Sequence, residues 1–463
     1  MASINTTSVR EELDRLKSEF KRQSCEPNLS SETTLLMSSM LTLLELICAI
    51  FLEKSTPKTS KNSSRPSSQT DKDETSLDHP GSKGKGKTER RQSAYNSRTL
   101  ETTTVATAST CDICGEDLTG TACHRHERRT KIDIIFEKTV EHVDAEIKDC
   151  PNCSAKVKGQ FPADMPGPLQ YGNGLKAYVI NMLVCQMVAL NRVQKAIAAM
   201  IGQTIAEATM LKFVLRLHEA LMTWEREAIS QLLQSPAMHV DETSLRVDQK
   251  NHWIHVYAAG DITLKRLHRK RGKEAIEEIN IIPRYGGVII HDCWASYLSY
   301  AHCGHGLCGS HLLRELTFIF DANGYAWAKN MKRALQDSCH TVAKSEDKRL
   351  SEDAYRNLQK RYRSILTRGE KELPAIPERM LGQRGKIAKS DAHNLWERLK
   401  EHERAVLLFA KDSNVAFTNN RAERDLRMAK AKQKVSGCFR NSLYADAGFS
   451  ATFKQWPTKA TTL

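Results

Sequence analysis

The chain has 463 residues, a hydrophobic content of 40% and a formal net charge of +14. This length predicts two to four domains at roughly 100–200 residues each, and the positive charge favours a polyanionic partner, nucleic acid first. Thirteen cysteines, an odd number, and the lack of a secretory signal argue against a secreted, disulfide-bonded protein, so close cysteine pairs are more readily interpreted as metal ligands.

The N-terminal region, residues 1–53, is predicted to be helical. Apolar residues recur at alternating spacings of four and three, which is typical of a heptad seam and favours self-association: Leu36, Met40, Leu43, Ile47 and Ile50. A plain core helix is the main alternative. A membrane span is disfavoured because Ser38, Ser39, Thr42 and Glu45 interrupt the run.

Residues 54–110 are rich in Ser, Thr and Lys and nearly lack large apolar residues, which predicts a disordered linker. The module at 111–160 then opens with a CxxC pair and carries another 35 residues later, at Cys111, Cys114, Cys150 and Cys153. This spacing predicts a structural zinc site with four thiolate ligands. Strands at 131–136 and 139–147 would complete a zinc-binding ribbon, with Cys123, His124 and His126 as less favoured substitute ligands.

Residues 170–233 are predicted to be helical and to hold a possible helix-turn-helix for DNA binding. A helix at 192–200 precedes a turn at 201–203, and Thr204 with Glu207 resembles a capping box. A helical hairpin without DNA contact has the same pattern, so both interpretations stay open.

The residues from 240 to 257 predict a β-hairpin, with a polar turn at 248–251 between two β-branched and aromatic runs. A third strand near 263–267, a helix at 274–279 and a fourth strand at 288–292 give the order β-β-β-α-β. This order is typical of an α/β protein with an RNase H-like core, a mixed five-stranded sheet flanked by helices. The catalytic domain is predicted at 234–440, with a helical insertion at 312–411.

Three acids in this region carry the central hypothesis. Asp241 lies on the first strand, Asp292 ends the fourth strand, and Glu423 lies at the start of a later helix. Each has a simpler explanation: an ion pair with Arg246 for Asp241, and helix capping for Asp292 and Glu423. Together they predict a site for two Mg²⁺ or Mn²⁺ ions, with Asp241 bridging the ions, Asp292 binding one and Glu423 the other.

Polar and basic residues surround Glu423 along the same helix. Asn420, Arg424 and Arg427 share a face with it or with one another at spacings of three and four, and these side chains are predicted to orient Glu423 or to bind DNA phosphate. The predicted DNA-binding residues are Asn420, Arg421, Arg424, Arg427, Lys430 and Lys434.

A Cys/His-rich stretch precedes the insertion and holds His302, Cys303, His305, Cys308 and His311. A second zinc site is one interpretation of it. The irregular spacing favours a packed turn instead.

Several of these segments together resemble DDE transposases of the insertion sequence 66 family, from about Lys54 to Arg440. The similar segments are residues 61–64, 240–243, 253–257, 291–294, 307–311, 419–424 and the four-cysteine module. The resemblance implies a catalytic triad of Asp241, Asp292 and Glu423, cutting and joining of DNA ends, and a bacterial mobile element that encodes accessory proteins. Residues 441–463 depart from the family as a short, polar, atypical tail.

The sequence therefore predicts an insertion-sequence transposase that binds terminal inverted repeats and target DNA, acts as a homo-oligomer and works in the bacterial cytoplasm near the nucleoid, with no membrane attachment. The alternative is a catalytically inactive or truncated transposase that only binds element ends. A structure-selective nuclease on the same core is a weaker interpretation.

Overall fold

A computed structural model describes residues 6–23, 31–59, 62–63, 103–132, 137–376 and 388–450. The chain divides into two compact units. One comprises residues 1–71 and 142–463, and it holds every helix and named strand below. The other comprises residues 72–141, and its described part holds a turn at the first CxxC pair.

The N-terminal region forms two helices, α1 (Thr6–Gln23) and α2 (Ser31–Ser55). Leu46, Ala49 and Leu52 bury one face of α2, which packs against a later helix. The residues of the predicted heptad seam from Leu36 to Ile47 are exposed instead, so the seam lies on the free side of α2 and self-association stays a prediction. By length and composition alone, Glu32–Ser55 is also apolar enough to cross a membrane.

The first residues of the predicted disordered linker make ordered contacts. Within 54–63, Asn62 is buried. Its amide donates to the Pro57 carbonyl at 3.1 Å and accepts from the Thr59 amide at 2.7 Å. Residues 64–102 of the predicted linker lie outside the described residues.

The second CxxC pair lies in a short hairpin of β1 (Ile147–Asp149) and β2 (Lys156–Lys158), which pair antiparallel. The strands predicted between the two CxxC pairs are wrong where they can be compared, because residues 131–132 and 139–146 form no strand. Residues 133–136 lie outside the described part of the chain.

Three helices follow, α3 (Asn173–Ile180), α4 (Leu190–Ile201) and α5 (Glu207–Gln234), with a π-helical turn at Asn181–Cys185. Gly202 ends α4 in the left-handed region, with φ of 64°, where glycine carries no steric penalty. The N-cap of α5 is Ala206, without a side-chain hydrogen bond, so the predicted capping box at Thr204 and Glu207 is wrong. The helix-turn-helix function stays a prediction.

A five-stranded mixed sheet with helices on both faces lies in the larger unit, as the sequence predicts. Its strands lie in the spatial order β5-β4-β3-β6-β7, with β3, β4 and β5 antiparallel and β3, β6 and β7 parallel. Their bounds are β3 Ala237–Val247, β4 Lys250–Ala259, β5 Ile262–His268, β6 Val288–His291 and β7 Gly304–Leu307.

The β3–β4 hairpin has a shorter turn than predicted. Asp248 and Gln249 both have positive φ, 47° and 60°, as in a two-residue type I′ turn. Lys250 already pairs with Val247, so β4 begins two residues inside the predicted turn.

In the part of the chain that the structure describes, nine α-helices follow β5. They are α6 Lys273–Ile279, α7 Ala295–Leu298, α8 Gly309–Asn323, α9 Ala326–Lys344, α10 Glu352–Glu372, α11 Asp391–Glu401, α12 Glu403–Lys411, α13 Asn420–Ser436 and α14 Ser442–Ser450. Helices α8 to α12 pack around a core that includes Trp327 and Tyr362 and extends to Ile290 of the sheet.

Helices cover both faces of the sheet. Leu245 and Val256 pack against Leu426 of α13 and Phe449 of α14 on one face. Val240 and Tyr257 pack against α5 and α6 on the other. Because successive residues of a strand point to opposite faces, Asp241 lies on the α13 side.

The tail differs from the polar segment predicted after Arg440. Residues 442–450 form α14, which buries Ala445, Ala447 and Phe449 and contacts α5 and β5. This part of the tail therefore belongs to the core of the larger unit. Residues 451–463 lie outside the described residues.

A buried carboxylate joins α2 to the helical insertion. Glu53 is 4% exposed and accepts the backbone N–H groups of Asp391 and Ala392, at 2.5 and 3.0 Å, and the side-chain amide of Asn323 at 2.8 Å. A carboxylate suits this position because the first N–H groups of a helix lack intrahelical partners and carry a partial positive charge.

Replacing Glu53 with Ala should loosen α11 and detach the end of α2. Three buried donors would lose their acceptor, which costs roughly 1–3 kcal/mol for an unsatisfied group. Hydrogen exchange should show faster exchange at the start of α11 and along α2. Glu45→Ala is the matched control on the same helix, because Glu45 forms a partly exposed ion pair with Lys17, worth about 0–1 kcal/mol. Unchanged exchange at α11 in Glu53→Ala would contradict the role of this cap.

Candidate active site

Asp241 and Asp292 lie side by side on neighbouring parallel strands. His239 of β3 pairs with Ile290 of β6 in a parallel register. Asp241 and Asp292 each lie two residues further along, so this register places them next to each other. Asp292 directly follows β6, at the carboxyl end of the strand, which is where ligand sites of α/β sheets gather.

Glu423 approaches the same place from α13. The helix begins beside β3 because the buried Asn419 side chain spans the gap: its amide donates to the Val240 carbonyl at 2.8 Å, and its oxygen lies 2.9 Å from His239 Nδ1. Asn419 therefore fixes the start of α13 against the residue that precedes Asp241.

Both of the other predicted acids act on the charge of Asp241. Burial raises the pKa of Asp241 to about 8, and repulsion by the carboxylates of Glu242, Asp292 and Glu423 adds to the increase, against a hydrogen bond from the Glu242 backbone N–H. Like charges shift a pKa at short range, but Glu242 acts from the other face of β3, so this repulsion indicates proximity and does not define one pocket. The shared site of Asp241, Asp292 and Glu423 stays a prediction.

The simpler explanations fit less well. Among the described residues, no ion pair joins Asp241 to Arg246, whose side chain is exposed. The N-cap of α13 is Asn419, without a side-chain cap hydrogen bond, so the predicted capping box of Asn420 and Glu423 is wrong. Asp292 does accept a local hydrogen bond, from the Trp294 N–H at 3.2 Å.

A histidine lies next to Glu423. His311 of α8 places Nδ1 at 3.6 Å from Glu423 Oε1. Burial lowers the pKa of His311, but a hydrogen bond with Cys308 and attraction to Glu423 and Asp292 outweigh it and raise the pKa to about 9. His311 thus lies within the field of the same carboxylates.

A second carboxylate on β3, Glu242, is buried on the opposite face. Arg271 donates to its Oε1 through Nε at 2.8 Å, and the Tyr297 hydroxyl donates to its Oε2 at 2.5 Å. The guanidinium lies over the rings of Trp253 and Trp294, 5.0 and 4.4 Å from their centroids. Burial raises the pKa of Glu242, while Tyr297 and Arg271 lower it.

Comparison with protein-family models matches residues 168–447 to the transposase IS66 family. The chain belongs to the IS66 transposase family. The matched region contains Asp241, Asp292 and Glu423, and it begins after the four-cysteine module. It reaches beyond Arg440, so the departure from the family that the sequence predicts at 441 starts too early. A comparison with curated proteins found no match.

The residues that the sequence assigns to DNA binding fall into two groups. Four of them are exposed along α13: Asn420, Arg424, Arg427 and Lys434. The other two bind the protein itself: Arg421 donates to the Ile262 carbonyl at 2.8 Å, and Lys430 donates to the Ser244 carbonyl at 2.5 Å.

The Cys/His-rich stretch separates into different contacts. His302 Nε2 lies 3.2 Å from the Ile282 carbonyl, Cys303 Sγ lies 3.1 Å from the Tyr285 carbonyl, and His305 Nδ1 lies 3.0 Å from His291 Nε2. These three side chains fit the packed-turn interpretation. The other two, Cys308 and His311, turn towards Glu423.

Each CxxC pair forms a tight turn of its own. The Cys111 carbonyl accepts the Gly115 N–H at 2.9 Å, and the Cys150 carbonyl accepts the Ser154 N–H at 2.8 Å. Backbone N–H groups of the next residues lower the pKa of Cys111 and of Cys150, which favours the thiolate form that metals bind. Outside these turns, Cys123 Sγ lies 3.7 Å from His126 Nε2.

Sequence reasoning missed Asn419, Arg271 and Tyr297. Asn419 has a weak signal in the sequence. It stands next to Asn420, and the spacing of three residues to Glu423 favours Asn420 as the cap instead. Arg271 and Tyr297 have no such signal, because their contact with Glu242 joins residues 29 and 55 positions away.

Arg271→Ala should destabilise the sheet by roughly 1–3 kcal/mol, the cost of leaving a buried acceptor unsatisfied, because Glu242 is buried although the Arg271 side chain is 42% exposed. Denaturant unfolding followed by tryptophan fluorescence measures this, since Trp253 and Trp294 both contact Arg271. Arg269→Ala is the matched control, at an exposed position, with an expected change within about 0.5 kcal/mol. Equal stability of the two variants would show that Arg271 does not hold Glu242.

Proposed function

We propose that this protein is an active insertion-sequence transposase that binds the ends of its element and catalyses metal-dependent DNA strand cleavage and strand transfer. The observation that carries the proposal is the match of residues 168–447 to the IS66 family, a region that contains Asp241, Asp292 and Glu423. The repulsion that Asp292 and Glu423 exert on Asp241 supports it.

The sheet supports an RNase H-like core for this chemistry. Three antiparallel strands, then a helix, then two strands parallel to the first give the order β5-β4-β3-β6-β7, which agrees with the β-β-β-α-β pattern of the sequence. In this proposal the helices α8 to α12 are an insertion between the second acid and the third.

The three acids fit a pair of Mg²⁺ or Mn²⁺ ions. Burial and mutual repulsion raise the pKa of Asp241 to about 8, and Glu423 Oε1 is buried without a hydrogen-bond partner among the described residues. A group of carboxylates with this unfavourable charge is relieved by a cation, and hard cations prefer carboxylate oxygens. Asp241 would bridge the two ions, Asp292 would hold one and Glu423 the other.

The chain's own residues position the reaction. In the first step water attacks the phosphorus at an element end, the bond to the 3′-oxygen breaks and a 3′-hydroxyl is freed. In the second step that hydroxyl attacks a phosphodiester of target DNA and displaces the 3′-oxygen of the target strand. The bound ions would activate the attacking oxygen and stabilise the leaving one. Asn419 fixes Glu423 relative to Asp241, and the exposed Arg424 and Arg427 bind phosphate, for which the planar guanidinium is suited.

Changing any of the three acids to its amide or to Ala should abolish cleavage and strand transfer while DNA binding is kept, because the acids hold ions and contribute no attraction to phosphate. Catalysis is measured with Mg²⁺ or Mn²⁺ on duplexes that carry an element end. DNA binding is measured by a gel-shift assay. Asp248→Asn is the control, since Asp248 is an exposed acid of the same hairpin with a positive φ that Asn tolerates.

The products separate the alternatives. Ends joined to a second duplex indicate a transposase, and cleavage without joining indicates a nuclease. Tight binding with no product from the unaltered chain indicates an inactive DNA-binding protein. Strand transfer by Asp292→Ala would disprove the assignment of the acids.

A structural zinc ion bound by Cys111, Cys114, Cys150 and Cys153 is part of the proposal. Its support is the sequence spacing and the thiolate-favouring turn at each CxxC pair. Cys111→Ser and Cys153→Ser should each lower the zinc content measured by elemental analysis, and chelation should lower the thermal stability of the unaltered chain. Cys123→Ser is the control and should keep the zinc. Full zinc content in Cys111→Ser would disprove this ligand set.

The remaining partners follow from the same proposal. They are the terminal inverted repeats, target DNA and accessory proteins of the same element, in the bacterial cytoplasm at the nucleoid. Two arguments support a homo-oligomer. Helix α2 has an exposed apolar face, and the reaction at paired element ends requires more than one active site.

A further inference from the structure

Cys308, His311 and Glu423 form a compact group of three possible metal ligands. One ligand atom from each, the thiol sulfur, a ring nitrogen and a carboxylate oxygen, lies within 4.8 Å of the other two. Cys308 is buried, and the other two side chains are mostly buried. The group joins the start of α8 to the start of α13.

The geometry suits a tetrahedral ion. Zinc bond lengths of ~2.0 Å to N or O and ~2.3 Å to S place neighbouring ligand atoms roughly 3.3–3.8 Å apart. His311 Nδ1 and Glu423 Oε1 are 3.6 Å apart, too far for a hydrogen bond. Both atoms are buried and lack a hydrogen-bond partner among the described residues, and a shared cation would satisfy both.

The surrounding backbone holds the three ligands in place. The Asn419 N–H donates to Cys308 Sγ at 3.1 Å, and the Gly309 N–H donates to the Phe417 carbonyl at 2.7 Å. Gly309 allows this approach, because a Cβ there would lie 2.3 Å from the Phe417 ring. The group is therefore pre-organised, as a specific metal site requires.

We propose that Cys308, His311 and Glu423 bind a divalent ion of the zinc class. Thiolate and imidazole select such ions over Mg²⁺, which prefers oxygen ligands. Three protein ligands leave a fourth position open for solvent, as in zinc sites that are not purely structural.

The site shares Glu423 with the catalytic pair. An ion that takes Glu423 Oε1 removes this carboxylate from the Mg²⁺ pair and places a second dication in the field of Asp292, which already acts on His311. Zinc bound here therefore opposes binding of the catalytic ions. This consequence rests on the proposed function, whereas zinc binding does not.

Zinc content tests the site on the full-length chain. We expect the unaltered protein to hold one zinc equivalent more than Cys308→Ala, and Cys339→Ala to match the unaltered protein, since Cys339 is a half-buried thiol outside the group. Co²⁺ substitution should give a sulfur-to-cobalt absorption band that is weaker in Cys308→Ala only. His311→Gln is the second variant, because it keeps the buried Cys308, and circular dichroism checks each fold. Equal zinc content in the unaltered chain and in a folded His311→Gln would overturn the proposal.

Manganese binding tests the competition without any activity measurement. The electron paramagnetic resonance signal of free Mn²⁺ does not include ions bound by the chain. An increase of this signal on addition of zinc therefore measures the release of Mn²⁺. We expect the additional zinc equivalent to release Mn²⁺ from the unaltered chain and from Cys339→Ala, and much less from His311→Gln. Retention of Mn²⁺ at full zinc occupancy would overturn the competition. Absence of Mn²⁺ binding would count against the catalytic pair, while zinc content would still decide the zinc site.

Discussion

Repulsion among carboxylates is the constraint that the centre of this protein has to overcome. Burial raises the pKa of Asp241 to about 8, and the carboxylates of Glu242, Asp292 and Glu423 add to the increase. Folding alone gives no reason to collect them. They stay together because two parallel strands fix Asp241 and Asp292 in register, and because Asn419 binds the start of α13 to β3. The fold supplies the rigidity, and a cation would supply the missing charge.

The opposite face of β3 shows how the same sheet treats a carboxylate that is structural. Glu242 receives hydrogen bonds from Arg271 and Tyr297, so its charge is compensated within the protein. Glu423 Oε1 is buried and accepts no hydrogen bond from the described residues, and its cationic neighbour His311 lies 3.6 Å away. Glu242 therefore stabilises the fold, whereas Glu423 is placed to bind a ligand. Both carboxylates are mostly buried, so burial alone does not distinguish them.

Local patterns made the sheet and the acids predictable. β-Branched runs and a polar turn predict β3 and β4, and an acid at the end of a short buried run predicts Asp292 at a strand terminus. Contacts between distant residues were not predictable in the same way. Asn419 binds Val240 across 179 positions, and Glu53 binds Asp391 across 338, and no periodicity in one segment records its distant partner. The hairpin turn was assigned too long because Asp248 and Gln249 both adopt positive φ, which residues other than glycine rarely do.

The helix α8 connects the remaining parts of the structure. Its first turn carries His311 beside Glu423, and its last residue, Asn323, donates to Glu53 of α2. Helix α2 presents an exposed apolar face on its other side. Packed side chains and a buried hydrogen bond, not a flexible tether, join α2 to α8. Since the first turn of α8 carries His311, this one helix connects the surroundings of Glu423 to the buried end of α2.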